Sequence, residues 1–269
     1  MARVHAMMPS VRIRDTELAM EQRGDGPLVL WGHGLMQSRA NENARRLWTI
    51  ADDVAAAGFA FVRYDARGHG ESTGTADPSV YRWPSLATDA LALHQELGGE
   101  PVVLAGASMG AATMLHAAVR QPKAARALML VIPPTAWETR AGQREIYENS
   151  ASFVRAKGKD RYVQAVRKLP MIQILAEHPE FRPLPPDISE ELLPFVLEGA
   201  AASDLPPVDA LGSIDIPSLI LAWDTDPGHP VSTAETLHRT LPRSTLHVAH
   251  SIADIRAWGS VVVEFLHRL

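Results

Sequence analysis

The sequence predicts an α/β protein with a mostly parallel sheet covered by helices on both faces. Short apolar runs recur along the chain with helical periodicity between most of them, the pattern of successive strand–helix–strand units. Runs such as Ala127-Leu128-Met129-Leu130-Val131-Ile132 are apolar at every position, as in strands buried on both sides. With 269 residues, 46% of them apolar, the chain can build one large domain with an insert.

At the start, Val11-Arg12-Ile13-Arg14 and Leu18-Ala19-Met20-Glu21 alternate around Asp15-Thr16 and predict an antiparallel hairpin at the sheet edge. Further strands are expected at about 27–32, 59–65, 101–106, 127–132, 217–223 and 244–249. Pro133-Pro134 stops the fourth of these runs, and strand character resumes only at Ile216-Pro217-Ser218-Leu219. That interval is too long for a structureless loop in a compact domain. Apolar residues at three- and four-residue spacing place helices at 143–156, 161–169, 171–177 and 190–198, with breaks at Pro183, Pro185, Pro186, Pro206 and Pro207. The expected organisation is a core of residues 1–133 and 215–269 with a helical cap, 134–214. The cap would lie over the strand ends, where open α/β sheets bind ligands.

The formal net charge of −5 and the scattered Lys and Arg residues offer no basic face for nucleic acid. With no cysteine, disulfides, thiolate metal sites and a cysteine nucleophile are excluded. No His-x-x-x-His or carboxylate cluster has metal-ligand spacing, so neither metal nor cofactor is expected. Met1–Pro9 lack the apolar stretch of a signal peptide, and no run approaches the roughly 20 residues that span a bilayer. A cytoplasmic enzyme with a small-molecule substrate and no membrane partner is the resulting expectation; oligomeric state is not specified.

Three motifs carry chemistry. Gly106-Ala107-Ser108-Met109-Gly110 follows the apolar run 101–105 and opens a helix-like segment, so Ser108 stands at the apex of a tight strand-to-helix turn. Trp31-Gly32-His33-Gly34-Leu35 follows the first parallel run, and Tyr64-Asp65-Ala66-Arg67-Gly68-His69-Gly70-Glu71-Ser72 follows the second. In this order the three motifs resemble an α/β-hydrolase of the serine esterase and lactonase type, over nearly the whole chain outside the middle insert.

The resemblance implies a triad in the order serine, acid, histidine. Ser108 is the nucleophile. The acid follows the strand at 217–223, at Asp226 with Asp224 as the alternative, although Trp223 stands where relatives have glycine. The base is His250, delivered at the end of the last strand, with His247 as the alternative and Val248-Ala249 in place of the usual glycines. His229 is read as part of the acid's loop. Oxyanion donors are the backbone N–H groups of Met109 and Leu35, with Met36 as substitute. His33 is expected to brace its loop, while Arg67, His69 and Glu71 fix the loop after Asp65. His94, His116 and His178 lie on helical segments as core or surface residues. His33, Met36, Trp137 and Met171 are candidates for the substrate pocket, and Tyr147, Phe153, Ile172, Ile174 and Leu175 are further apolar candidates.

A serine at the elbow points to acyl chemistry on carboxylic esters, lactones included, of small to medium and largely apolar substrates. A carbon–carbon bond hydrolase or an acyltransferase would use the same triad. A non-catalytic small-molecule receptor would keep the pocket without turnover.

Overall fold

The computed structural model describes residues 10–269; Met1–Pro9, and with them the signal-peptide reading, lie outside these. The chain enters through β1 (Val11–Ile13) and β2 (Thr16–Leu18), which pair with each other as a separate two-stranded sheet. The hairpin expected at the sheet edge is therefore present but beside the main sheet. The edge itself is β3 (Met20–Arg23), which runs antiparallel to β5 (Ala60–Tyr64).

The main sheet has seven strands in the order β3-β5-β4-β6-β7-β8-β9. Its remaining members are β4 (Leu28–Gly32), β6 (Val102–Ala107), β7 (Ala125–Val131), β8 (Ser218–Trp223) and β9 (Ser244–Ala249), all paired in parallel. Strand residues alternate between two apolar layers, as the period of two requires. Leu30, Leu104, Leu128 and Ile220 join one, packed with α3 (Trp83–Glu96) and α4 (Met109–Arg120). Trp31, Ala105, Met129 and Leu221 join the other, packed with α2 (Ile50–Ala56) and α10 (Ile252–His267). Each fully buried Leu or Ile side chain contributes about 1.5–3 kcal/mol. β9 at the far edge alternates exposed and half-buried positions up to buried Ala249, because only one side of it is covered.

The short α1 (Arg39–Arg45) leads from the β4 loop toward α2. Between β7 and β8 lie α5 (Arg140–Lys157), α6 (Lys159–Val166), α7 (Leu193–Ala201) and α8 (Val208–Leu211), and α9 (Val231–Thr240) joins β8 to β9. The helix expected at 171–177 is only a single 3₁₀ turn, Gln173–Leu175. The helix expected at 190–198 starts later, with Pro194 in its first turn, where the missing N–H is harmless. α5 and α7 are locked by Arg140. Its Nε donates to Ser203 O (2.7 Å), its Nη1 to Thr135 Oγ1 (3.1 Å) and its Nη2 to Ala200 O, while its guanidinium lies 4.3 Å from the Trp83 ring centre.

Among the described residues no helix is long and apolar enough to cross a membrane.

Candidate active site

Ser108 sits between β6 and α4 with φ 52° and ψ −111°, a strained conformation that L residues rarely adopt. The glycines around it make the turn possible. A Cβ on Gly110 would collide with the Gly32 carbonyl, and one on Gly106 with the Gly110 backbone, so β4, β6 and α4 approach as closely as they do only without side chains there. The Ser108 N–H donates to Val131 O (3.0 Å), fixing the turn to the end of β7.

The histidine that meets Ser108 is His229. Its Nε2 lies 2.8 Å from Ser108 Oγ, and its Nδ1 lies 2.7 Å from Asp226 Oδ2. An ionised carboxylate only accepts, so Nδ1 carries the proton and Nε2 turns its lone pair to the serine hydroxyl. Asp226 and His229 are the ends of one turn, Asp226-Pro227-Gly228-His229. The His229 N–H donates to Asp226 O (3.1 Å), and the Gly228 N–H donates to Asp226 Oδ1 (2.8 Å). A β-turn brings its first and fourth residues side by side. Gly228 O in turn accepts from Thr135 N–H (3.1 Å), which ties the turn to the segment after β7.

The expectation of His250 as the histidine beside Ser108 is corrected by this geometry. β9 runs straight to Ala249, and Ser251 already caps α10, its hydroxyl accepting from Asp254 N–H. No loop remains between strand and helix to fold back across the sheet. His250 Nδ1 instead meets Asp224 Oδ2 at 2.7 Å, and its side chain is 69% exposed against 22% for His229. Asp224 is thus the partner of His250, and His247 points to solvent from β9. Sequence reasoning set His229 aside as loop; the signal that marks it is the Asp-Pro-Gly-His turn.

Asp226 is held by three donors, the third being Trp223 Nε1–H (3.0 Å). Burial pushes its carboxyl up, but hydrogen bonding and charge from His229, with the Gly228 and Trp223 N–H groups, outweigh this and hold it below the usual aspartate value. Trp223 stacks on Trp258 with ring centres 6.2 Å apart and meets the His229 ring edge-on at 6.1 Å. It contacts both Asp226 and His229, a placement that sequence reasoning registered only as a departure.

Gly34 to Gln37 form a turn closed by Gln37 N–H donating to Gly34 O (3.1 Å), which leaves the Leu35 and Met36 amides outside that bond. The turn passes close to Ser108, since a Cβ on Gly34 would stand 3.8 Å from Ser108 Cβ. Met109 is the first residue of α4, where helix N–H groups have no partner within the helix. His33 is buried, with Nε2 accepting from Ala66 N–H (2.9 Å), so its Nδ1–H donates to Gly34 O (2.8 Å). It braces two loops and, with both ring nitrogens engaged, has none left for a ligand; its candidacy for the pocket is corrected.

A cavity of about 430 Å³ opens over Ser108 and His229. Met36 and Met171 line it, as do Tyr147, Ile172 and Leu175. Trp137 does not, because Asp204 accepts from its backbone N–H and Pro206 O from its indole N–H (3.0 Å), drawing it to the segment before α8. Phe153 packs on Tyr162 and Ile174 N–H donates to Thr225 Oγ1, so neither reaches the cavity wall. In the loop after β5, Asp65 Oδ1 accepts from Arg39 N–H (2.8 Å) and Asp65 Oδ2 from Glu71 N–H (3.1 Å), Arg67 is paired with Asp89, and His69 Nδ1 bonds Arg67 O. Among the described residues no group of three or more histidine and carboxylate side chains is placed to hold a metal ion.

The family model described as serine aminopeptidase, S33, matches residues 28–251. A 3-oxoadipate enol-lactonase of Acinetobacter baylyi is 29% identical over 69% of this chain and 68% of its own. A mitochondrial palmitoyl-protein thioesterase of Rattus norvegicus is 31% identical over 42% of this chain, and the match spans little more than a third, 36%, of that protein. Two solved structures share the fold: an esterase from Thermogutta terrifontis (TM-score 0.79, 23% identity, 96% of this chain and 98% of that one) and an enol-lactonase from Burkholderia xenovorans (0.80, 21%, 96% and 100%). With its elbow serine, seven-stranded sheet and family match, the chain belongs to the α/β-hydrolases, in the family described as serine aminopeptidase, S33.

Proposed function

We propose that this chain is a serine hydrolase of carboxylic esters and lactones, with Ser108 as nucleophile, His229 as base and Asp226 as the orienting acid. The observation that carries it is the unbroken line from Ser108 Oγ to His229 Nε2 (2.8 Å) and from His229 Nδ1 to Asp226 Oδ2 (2.7 Å). In this mechanism Ser108 Oγ attacks the carbonyl carbon while His229 Nε2 takes its proton, and Asp226 stabilises the imidazolium. The Leu35 and Met109 amides receive the developing oxyanion, each worth about 2.7–4 kcal/mol. His229 then protonates the leaving alkoxide, or the ring oxygen of a lactone, and a water activated by the same nitrogen frees the acid.

Residues 134–214 act in this reading as a cap, since Tyr147 and Met171 from that segment wall the cavity. About 430 Å³ of mainly apolar wall suits a small to medium substrate. The lactonase and thioesterase among the relatives support acyl transfer to water, which the same attack performs on each bond type.

The test is p-nitrophenol release from acetate, butyrate, octanoate and laurate esters by the wild type, Ser108→Ala, His229→Ala and His250→Ala. Loss of kcat by about 10³-fold or more is expected for the first two variants, and a change within about threefold for His250→Ala. Turnover that survives in His229→Ala and vanishes in His250→Ala would overturn the assignment of the base.

A further inference from the structure

The buried arginines of this protein each face a carboxylate or a set of oxygens, although Arg39 Nε and Arg67 Nη1 have no acceptor of their own. Arg39 pairs with Asp65 and Glu71, Arg63 with Glu21 and Glu42, and Arg67 with Asp15 and Asp89, while Arg140 is bonded to three oxygens and faces Trp83. Arg45, at the end of α1, is half-buried and differs from them. It lines the cavity that holds Ser108 and His229, and its Nε donates to Phe181 O (2.8 Å). Among the described residues it has no carboxylate within salt-bridge distance, and its two terminal amino groups have no hydrogen-bond acceptor.

The carboxylates of the same cavity are engaged elsewhere. Asp226 accepts from His229, Gly228 and Trp223, and Glu42 accepts from Trp31 Nε1 and faces Arg63. Of the other two arginines in the wall, Arg182 donates to the carbonyls of Arg167 and Leu169, and Arg167 is exposed at the rim. A half-buried cation without a partner is disfavoured relative to one in water, and burial pushes the Arg45 guanidinium down to about 10 even with Asp226 and Glu42 nearby. An anion arriving in the cavity removes that cost, and the terminal edge of a guanidinium left free by its Nε matches the two oxygens of a carboxylate.

We propose that Arg45 is a specificity-determining residue that binds a carboxylate group on the substrate, so that the preferred ester or lactone carries an anionic end. This rests on the ester-hydrolase reading and narrows its substrate class. The apolar wall of the cavity holds the chain between the scissile carbonyl and the anionic end.

Two measurements test it. The first compares kcat/KM for mono-p-nitrophenyl glutarate and the neutral p-nitrophenyl hexanoate in the wild type, Arg45→Gln and Arg45→Lys. A wild-type preference for the glutarate ester is expected; Arg45→Gln should lower the glutarate-to-hexanoate ratio about tenfold or more, mainly through KM, and Arg45→Lys should recover part of it. A merely structural tie to Phe181 would lower both substrates in parallel and leave the ratio unmoved, which would overturn the proposal. The second is calorimetric binding of glutarate to Ser108→Ala and to Ser108→Ala/Arg45→Gln, which needs no turnover. Binding confined to the arginine-containing protein supports the proposal even if neither ester is hydrolysed, an outcome that would count against the ester reading alone. Equal or absent glutarate binding in both proteins overturns it.

Discussion

Trp223 shows what one side chain does for the site. Its indole N–H is one of three donors on Asp226, and its ring sits between Trp258 and His229. Trp223→Phe keeps the stacking and removes the donor, a loss of about 1.5 kcal/mol for a bond to a charged group, equivalent to about tenfold in kcat/KM. The same variant should raise the Asp226 carboxyl toward its ordinary value. Both are read from one pH–rate profile, in which the acidic limb moves to higher pH. A profile that keeps its shape while the rate falls would mean that Trp223 serves only packing.

Ser108 was legible in the sequence because its turn requires small flanking residues whose spacing is local. His229 was not, because the resemblance places the histidine after the last strand and a histidine does stand there. Two Asp–His pairs, Asp226 with His229 and Asp224 with His250, lie at adjacent strand ends with nearly equal separations. Only the path of the backbone between β9 and α10 tells them apart.

Among elements, α5 and α7 depend on Arg140, which reaches the carbonyls at the end of α7 and the loop beyond it. Arg140→Leu leaves those buried carbonyls without a donor, a cost of about 1–3 kcal/mol for each group. Hydrogen exchange at residues 193–203 should quicken more than at β6 or β7, because the Arg140 bonds hold together the helices between β7 and β8 rather than the sheet. Uniform quickening across the sheet would instead make Arg140 part of the global folding unit. The helices themselves were legible where periodicity ran long, as in α5. Where prolines crowd, at residues 170–186, the sequence pattern could not say how the segment turns, since each proline forbids a helix without choosing the alternative.

At the scale of the whole molecule, acid sensitivity follows from histidines kept neutral by burial. Burial, with the neighbouring His33, pushes His69 down to about 3, and burial lowers His116 as well. The unfolded chain protonates these rings near pH 6.5 while the folded one does not. The unfolded state therefore binds more protons as pH falls below about 6.5, and stability is lost from there toward pH 3. Asp65 and Asp226, held below their ordinary values, add a further loss only as pH drops through the carboxylate range. Denaturant midpoints between pH 7 and 5 should fall in the wild type and fall less steeply in His69→Gln; equal slopes would show that His69 is protonated in the fold. The mostly parallel sheet covered on both faces was legible at this scale because strands buried on both sides announce themselves. The separate β1–β2 sheet was not, because alternation shows that two strands pair without showing which sheet receives them.

The Asp226-Pro227-Gly228-His229 turn has a consequence for motion. Its ends are joined by a backbone bond and a side-chain bond within one small ring, so Asp226 and His229 move together. Motion of this loop then alters the gap to Ser108 while the alignment of His229 with Asp226 is kept.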